Sequence, residues 1–595
     1  MAPPAADPPA SLPMPTRAAA LILDAFLDYN GRFADITRRA QRHFERRDWR
    51  QAQLDAVARI DLYDVCIRET LARLELLLDD RVRSRPLWAA MRDAYAALIE
   101  PLLDRELTKT WFNTLSRRFF RTSGVDAGIE FVALDLEPTA GITQPVALNH
   151  YAIDGNLAAT CERMLADHPF ATGYIHRARC AQAIAREIAE RMLEDGVAPR
   201  AIELLRAVFY RERRAYLVGR IDDGADHTPL VIALVSAPDG VRADAVLTNL
   251  NQVSLLFGYA RNAFHADLPT VGDTVRFLEA LMPHKPVGEL YTVLGRIKQG
   301  KTERYRHLFR HLAAHPDERL VRAEGERGMV MAVFTPRDYA VVIKVLRDQF
   351  AYPKDITRRQ VIAKYRLVSR YDRVGRLVDA QEFHHLRFPL RQIEAEALAE
   401  LTGDCAESVA VDGDELVVSH CYVERRLRPL NLYAREASMD DARRAVLDYG
   451  QAVKDLARSN IFPGDLLLKN FGVSRIGRAV FYDYDELCLV EQCRFRRLPP
   501  PREGDETRPL EDWLGVREND VFPEQFARFL GLPETLRDAL LQAHPELFDA
   551  SWWQALRDRF AAGDYGDVPP YPASSRLPNE PASRRICNAD RTALC

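Results

Sequence analysis

The sequence predicts an α+β protein, mostly helical in its first half and mixed in its second, and three observations carry that prediction. Apolar residues recur near the 3.6-residue period in the N-terminal half, as at Leu21, Leu23, Phe26 and Leu27 and again at Leu74, Leu76, Leu77 and Leu78. Near residue 316 the pattern changes to short β-branched runs, of which GMVMAVFTPRDYAVVIKVLRD reads as two strands joined by a turn at Thr335–Asp338. Helical periodicity then returns over Asp440–Asn460 before a loop, a strand pair and an acidic cluster at 461–490.

Taken in order, residues 1–16 are Pro/Ala-rich and read as an unstructured tail. From Arg17 to about Leu205 the expectation is helical, including Ala181–Leu193, with β-like interruptions at Phe131–Leu134 and, further on, Pro229–Val235. Thr270–His315 reads as helical again, with a basic amphipathic piece, KQGKTERYRHLFRHL. Beyond the predicted hairpin, 354–402 reads as a long basic helix-like section and Glu415–Val423 as strand. Residues 568–595 are Pro/Ser-rich and read as a tail. The resulting domains are 17–315 and 316–567, the latter dividing near 425 into lobes 316–425 and 426–567.

Composition narrows the function. The 595 residues are 47% hydrophobic and 28% charged, values of a globular chain. The net charge of −4 argues against a nucleic-acid partner. No apolar run approaches the ~20 residues that span a bilayer, so no membrane partner is expected. The N-terminus lacks the basic and apolar regions of a secretory signal. Nine scattered cysteines without a CxxC pair suggest neither a disulfide framework nor structural zinc, and a reducing, cytoplasmic setting is the expectation. Of the cations, 9 are Lys and 73 Arg, and eight of the nine lysines lie between Lys285 and Lys469. Base composition accounts for much of this bias, yet a lysine kept in that stretch can serve as a compact point charge where arginine's planar fork cannot.

Four features of the second half carry chemistry. Ala323-Glu324-Gly325-Glu326-Arg327-Gly328-Met329 precedes the strand VMAVF, and glycines there let backbone N–H groups approach a phosphate, although an ordinary hairpin has the same look. Lys344 ends the next strand sixteen residues after Gly328; it is either a snorkelling edge residue or a cation for the α- and β-phosphates of a nucleotide. In Ile461-Phe-Pro-Gly-Asp465-Leu-Leu-Leu-Lys469-Asn470, the Asp and Asn stand five apart, as in the protein-kinase HRDxxxxN loop, though an Asp after Pro-Gly is also a turn residue. Asp483 ends the apolar strand Ala479–Tyr482 and opens the run DYDE, which is a solvated turn or a divalent-cation site. The four occur in kinase order. Phosphoryl transfer needs charge neutralisation and in-line positioning, and these residues fit it: Lys344 on the nucleotide, Asp483 and Asn470 on Mg²⁺, Asp465 on the attacking hydroxyl, Lys469 near the transferred group. No GxxxxGK[ST] sequence is present.

At these residues the chain resembles the bifunctional isocitrate dehydrogenase kinase/phosphatase family. The likeness rests on RGMVMAVFTPRDYAVVIKVLRD, RVGRLVDAQEF, IFPGDLLLKNFGV and GRAVFYDYDE, and more loosely on ELYTVLGRIKQGKTERYR and LNHYAIDGN. It implies an α-rich regulatory domain followed by a bilobal kinase-like domain. It also implies ATP- and Mg²⁺-dependent phosphorylation of a specific serine of isocitrate dehydrogenase, removal of that phosphate, and control of flux between the citric acid cycle and the glyoxylate bypass. By the same resemblance, residues 323–329 and Lys344 bind ATP, Asp379 in LVDAQEF is an active-site residue, and AMP or ADP acts allosterically. Asp379 keeps two readings, activation of a water for dephosphorylation or a place on a helix that pairs with Lys344, where Glu382 is a rival partner.

HRD is replaced by Phe462-Pro-Gly-Asp465 and DFG by Asp483-Tyr484-Asp485, and Lys344 and Asp465 are 121 residues apart, so insertions between the lobes are expected. No metallophosphatase motif is present, and the CxxxxxR match Cys180–Arg186 reads as helix. One site serving both reactions is therefore expected. The stretch Cys493–Pro509 is a candidate docking loop for the protein substrate. Two other readings stand beside this one: a non-catalytic adenine-nucleotide sensor that binds a partner protein, and a small-molecule kinase.

Overall fold

A computed structural model describes residues 12–578 except 104, 123, 133–145, 195, 197, 259–262, 353, 355, 499–516 and 518, and only the backbone of 369–371. The chain divides into two compact units, one of 1–39, 50–145 and 254–570, the other of 40–49, 146–253 and 571–595. Each is described by itself.

The first unit begins with helices α1 (Met14–Arg46), α2 (Trp49–Leu78), α3 (Arg85–Ile99) and α4 (Arg105–Phe120). Their apolar stripes close on an aromatic core in which Trp88, Tyr95, Trp111 and Phe112 are fully buried and Tyr29 stacks on Trp111 at 5.2 Å. Large aromatic areas removed from water are what fix long helices whose own propensity is marginal. Helix α1 starts at Met14, inside the stretch expected to be a tail.

The second unit corrects the helical expectation. Its six-stranded antiparallel sheet has β1 (Leu148–Ala152) ahead of α5 (Leu157–Ala166) and α6 (Arg177–Glu194), and β2 (Ala201–Leu205), β3 (Phe209–Arg211), β4 (Arg214–Asp222), β5 (His227–Ala237) and β6 (Gly240–Leu247) after them. Only part of β5 was legible. Strand β4 is buried on both faces, so it shows no alternation, and a short apolar run cannot be told from helix by period. The C-terminal stretch expected to be a tail is also built into this unit up to 578. Tyr571 is buried, accepts from Arg214 Nε at 2.7 Å and donates to Asp244 Oδ2 at 2.5 Å, and Arg576 pairs with Asp244 at 2.8 Å.

Back in the first unit, α7 (Leu250–Leu256) leads into it, and α8 (Val271–Leu281), α9 (Val287–Val293) and α10 (Ile297–Ala314) follow. A five-stranded antiparallel sheet then forms from β7 (Leu320–Arg322), β8 (Met331–Pro336), β9 (Val341–Leu346), β10 (Gln381–Phe383) and β14 (Cys421–Arg425), in the order β10-β14-β9-β8-β7. The predicted hairpin is β8–β9. The predicted helix over 354–402 is instead α11 (Arg358–Tyr371), the strands β10 and β11 (Leu386–Pro389), and α12 (Ala395–Asp404). Its basic composition hid a break at Asp372–Gly375, where Asp372 Oδ1 accepts from the Val374 and Gly375 amides and Gly375 has φ +63°. Strands β12 (Val409–Asp412) and β13 (Glu415–Val418) pair with β11 in a separate small sheet.

After β15 (Arg428–Pro429) and α13 (Leu430–Glu436), helix α14 (Met439–Arg458) forms the spine of the second lobe. Ser438 caps it by accepting from the Asp441 amide, Asp440 and Asp441 occupy its positive end, and Ala442, Val446, Tyr449, Val453 and Leu456 make its buried face. Against it lie β16 (Ile461–Phe462), β17 (Phe471–Val473), β18 (Ala479–Phe481) and β19 (Cys488–Leu489). Strand β20 (Arg494–Phe495) pairs with β21 (Asp520–Val521), and α15 (Phe526–Phe529), α16 (Glu534–Ala543) and α17 (Ala550–Ala561) complete the unit. No helix among the described residues is long and apolar enough to cross a membrane.

Candidate active site

Lys344 lies on β9, between β8 and β14, and is 6% exposed. The register sets Tyr422 opposite Lys344 and puts Glu424 two residues along on the same face of β14. Lys344 Nζ pairs with Glu424 Oε2 at 2.8 Å and donates to the Tyr482 carbonyl at 2.7 Å, one residue before Asp483. Burial pushes the Glu424 carboxyl above its ordinary range even with Lys344 beside it.

This corrects the expected partner of Lys344, which is neither Asp379 nor Glu382. Asp379 is not helical. It lies in the segment before β10, where its Oδ2 is 3.2 Å from Arg304 Nη2 and accepts from Gln381 Nε2 at 2.8 Å. Arg304, on α10, also donates to the carbonyls of Asp379 and Val423 at 2.9 and 3.0 Å, so Asp379 ties that helix to the strand carrying Glu424. Glu382 pairs with His420 at 3.0 Å.

The turn between β7 and β8 holds residues 323–329. Gly325 takes φ +115°, open to glycine and strained for other residues. Glu324 pairs with Arg428, Arg327 pairs with Glu400 at 3.1 Å, and Arg347 Nε donates to the Gly328 carbonyl at 2.9 Å. Glu326 reaches Lys469 Nζ at 2.8 Å, so this turn lies against the segment that follows Asp465. Ala323 continues the ladder by donating to the Val333 carbonyl at 2.9 Å, and Met329 is half-buried at the start of β8.

Asp465 follows Gly464, whose φ of +90° and close approach leave no room for a side chain. A Cβ there would stand 2.8 Å from the Glu486 carbonyl oxygen. Tyr449 Oη, from α14, donates to the Leu466 carbonyl at 2.5 Å and holds the loop down. Asn470 Nδ2 donates to Asp465 Oδ1. Strands β17 and β18 pair Phe471 with Phe481, and the Tyr482 amide donates to the Asn470 carbonyl at 3.1 Å. That hairpin carries Asn470 on one arm and Asp483 just past the end of the other.

The acidic run is dense in charge. Burial and the neighbouring carboxylates Glu486 and Asp485 push Asp465 up to about 6 against the pull of Lys354 and Lys469. Burial and Asp485 likewise raise Asp483, against the pull of Lys344. Lys354 Nζ bridges Asp485 at 3.0 Å and Glu486, and Lys364 Nζ donates to the Asp485 carbonyl at 2.8 Å. Four of the nine lysines thus stand around this cleft. Asp483 and Asn470 could hold Mg²⁺, with the Asp465 carboxylate beside them through the Asn470 amide. Their donors are oxygens, the set that hard cation takes, and mutually repelling carboxylates are stabilised by a divalent charge.

Sequence reasoning missed Glu424, Lys354 and Lys364. A lone acid in the strand CYVER is the one sequence signal for Glu424, but cross-strand partners have no fixed separation along a chain. The candidate docking stretch is only partly described. Arg496 and Arg497 are engaged by Asp520 at 2.6 Å and Asp549 at 3.3 Å, and 499–509 lie outside the described residues. The helical reading of Cys180–Arg186 agrees with α6.

A five-stranded lobe offering a buried lysine–glutamate pair, above a lobe offering Asp465, Asn470 and Asp483, defines the protein-kinase-like class. The comparisons are narrower. The family model for the isocitrate dehydrogenase kinase/phosphatase (AceK) kinase domain matches residues 318–573, and that for the regulatory domain of the same family matches 19–317. Similar curated proteins include the isocitrate dehydrogenase kinase/phosphatase of Xanthomonas euvesicatoria pv. vesicatoria (strain 85-10), 54% identical over 94% of this chain and 97% of that one. That of Anaeromyxobacter sp. (strain Fw109-5) is 45% identical over the same shares. The chain belongs to the isocitrate dehydrogenase kinase/phosphatase family.

Proposed function

We propose that this chain transfers phosphate from ATP to a serine of isocitrate dehydrogenase and also removes it, with both reactions in the one cleft. The observation that carries the reading is the convergence of Lys344, Glu424, Asp465, Asn470 and Asp483. Lys344, held by Glu424, offsets the α- and β-phosphates, and residues 323–329 cover them. Asp483 and Asn470 hold Mg²⁺, which when bound neutralises charge on the phosphates. Asp465 orients the serine hydroxyl and takes its proton as oxygen attacks the γ-phosphorus and the bond to the β–γ bridging oxygen breaks. Lys469, partly exposed and paired with Glu326, exchanges that carboxylate for the moving phosphoryl group. In the reverse sense Asp465 takes a proton from water as it attacks phosphoserine, then returns it to the departing serine oxygen. Asp379 acts through Arg304, positioning α10 against the strand that carries Glu424.

Family membership supports isocitrate dehydrogenase as the substrate and, with it, control of carbon between the citric acid cycle and the glyoxylate bypass from a cytoplasmic location. AMP or ADP as allosteric effector belongs to the same proposal. The test is incubation with purified isocitrate dehydrogenase, Mg²⁺ and labelled ATP, then a chase with excess unlabelled ADP. Label is expected to go on and then to come off. Nucleotide binding without any transfer would replace the reading with that of a sensor.

A further inference from the structure

We propose that Glu382, His384 and His420 form a binding site for a zinc-class divalent cation, distinct from the magnesium donors of the cleft. Strand geometry builds it. Glu382 and His384 are alternate positions and so share one face at the end of β10. The register pairs Glu382 with Tyr422 and Phe383 with Cys421, and the His385 amide donates to the Ser419 carbonyl at 3.2 Å, so the next pair is His384 with His420. Three potential ligands thereby face one another across two adjoining strands. No spacing in the sequence announces this, because His420 arrives from another strand.

The separations fit a metal. Glu382 Oε1 lies 3.0 Å from His420 Nε2 and 3.5 Å from His384 Nε2, and the three ligand atoms all lie within 4.8 Å of one another. Tetrahedral ligands bound at about 2.0–2.1 Å stand roughly 3.3–3.4 Å apart, so modest adjustment admits the ion. His420 is 9% exposed, and Nε2, the ring nitrogen that stands against Glu382, is the one that would ligate, while its buried Nδ1 has no hydrogen-bond partner. The His384 side chain, 54% exposed, leaves the fourth position open to water. Two imidazoles and one carboxylate suit a borderline ion such as Zn²⁺, whereas Mg²⁺ and Ca²⁺ prefer oxygen alone. Arg366 Nη2 stands 3.9 Å from Glu382 Oε1, longer than either histidine contact, on a side chain that is 70% exposed.

The site adjoins the catalytic strand. The Tyr422 ring meets that of His420 edge-on at 5.2 Å and stacks on Tyr365 at 4.1 Å, and Tyr365 packs on Tyr484 at 5.0 Å, beside Asp483. A bound cation would clamp β10 to the strand that carries Glu424.

The test uses the full chain, stripped with chelator and titrated with Co²⁺ alone in the presence of excess Mg²⁺. One equivalent is expected to give the intense visible bands of four-coordinate cobalt, and Zn²⁺ is expected to displace it and raise the thermal midpoint. His384→Ala should abolish the bands and the thermal shift, and Glu382→Gln should weaken binding at least tenfold. Mg²⁺-dependent nucleotide binding should be unchanged in both variants, which also shows that they are folded. Absent or weak six-coordinate bands in the wild type, or bands that survive His384→Ala, would overturn the assignment.

Discussion

Two buried charge clusters in the catalytic half differ in one respect. Arg376, whose side chain is 3% exposed, meets Asp448 at 2.6 Å and Asp455 at 2.9 Å and donates to the Ala479 carbonyl at 3.0 Å, while Asp448 also accepts from the Ala479 amide at 2.7 Å. There the guanidinium holds the Asp448 carboxyl below its ordinary range. In the cleft the carboxylates of Asp465, Asp483, Asp485 and Glu486 crowd together, and Asp465 and Asp483 are pushed up. The first cluster is satisfied by the protein and serves as scaffold. The second is satisfied only in part and is poised for cation and phosphate. The two are joined: Arg376 accepts at its carbonyl from the Phe481 amide at 2.8 Å, the Val378 amide donates to the Phe481 carbonyl at 3.1 Å, and Tyr484 Oη donates to the Val378 carbonyl at 2.6 Å. The compensated cluster thus grips the strand end that presents Asp483.

That contrast can be broken at several points. The largest effect is expected from Asp483→Asn, which should lower phosphorylation by about 10³-fold or more, since metal-held phosphate positioning is the core of this chemistry. Because it removes one of several repelling charges, the thermal midpoint should not fall. A lower midpoint with retained activity would invert the assignment of site and scaffold. Arg376→Ala is expected to destabilise by about 3–5 kcal/mol, the cost of leaving buried carboxylates unpaired, read by denaturant unfolding. Glu424→Gln keeps the shape but loses the charge beside Lys344. A charge-assisted hydrogen bond of about 1.5–3 kcal/mol corresponds to roughly a ten- to hundredfold loss in kcat/KM for ATP. The half-exposed Lys469–Glu326 pair should matter little to stability, with Glu326→Gln costing less than about 1 kcal/mol.

pH probes the same difference. Asp465 moves from its ordinary 3.8 to about 6, so between those values the native state keeps a proton that the unfolded chain has lost. Stability contributed by this group is therefore highest at low pH and declines as pH rises through that window, on the order of 1–3 kcal/mol for a partly buried carboxyl. The slope should become shallower in Asp465→Asn when unfolding is measured without divalent cation, leaving the share that belongs to Asp483. Phosphorylation has the opposite sense, since the base must be ionised, and kcat/KM should fall below pH of about 6.

What was legible in the sequence follows from locality. Asp465, Asn470 and Asp483 lie within one loop and one hairpin, so their spacing along the chain is their spacing in space. Lys344 was legible from the strand that ends in it, but its partner Glu424 was not, because antiparallel register rather than distance along the chain sets that pair. Arg376 sat inside a basic section that read as helix-like, and its burial depends on Asp448 and Asp455, 72 and 79 residues further along the chain. Asp379 was marked by resemblance alone; its link to Arg304 joins segments that composition treats as separate domains. Strand β4 and the residues around Tyr571 were missed because burial on both faces erases alternation and because a Pro/Ser-rich stretch gives no sign that one aromatic anchors it.

The most direct test of the account is Asp465→Asn in the full chain, with phosphorylation and dephosphorylation of isocitrate dehydrogenase assayed side by side and Mg²⁺-dependent nucleotide binding as the control. Both activities are expected to collapse together while nucleotide still binds. A protein that loses the kinase reaction but removes phosphate at the wild-type rate would contradict a single shared centre.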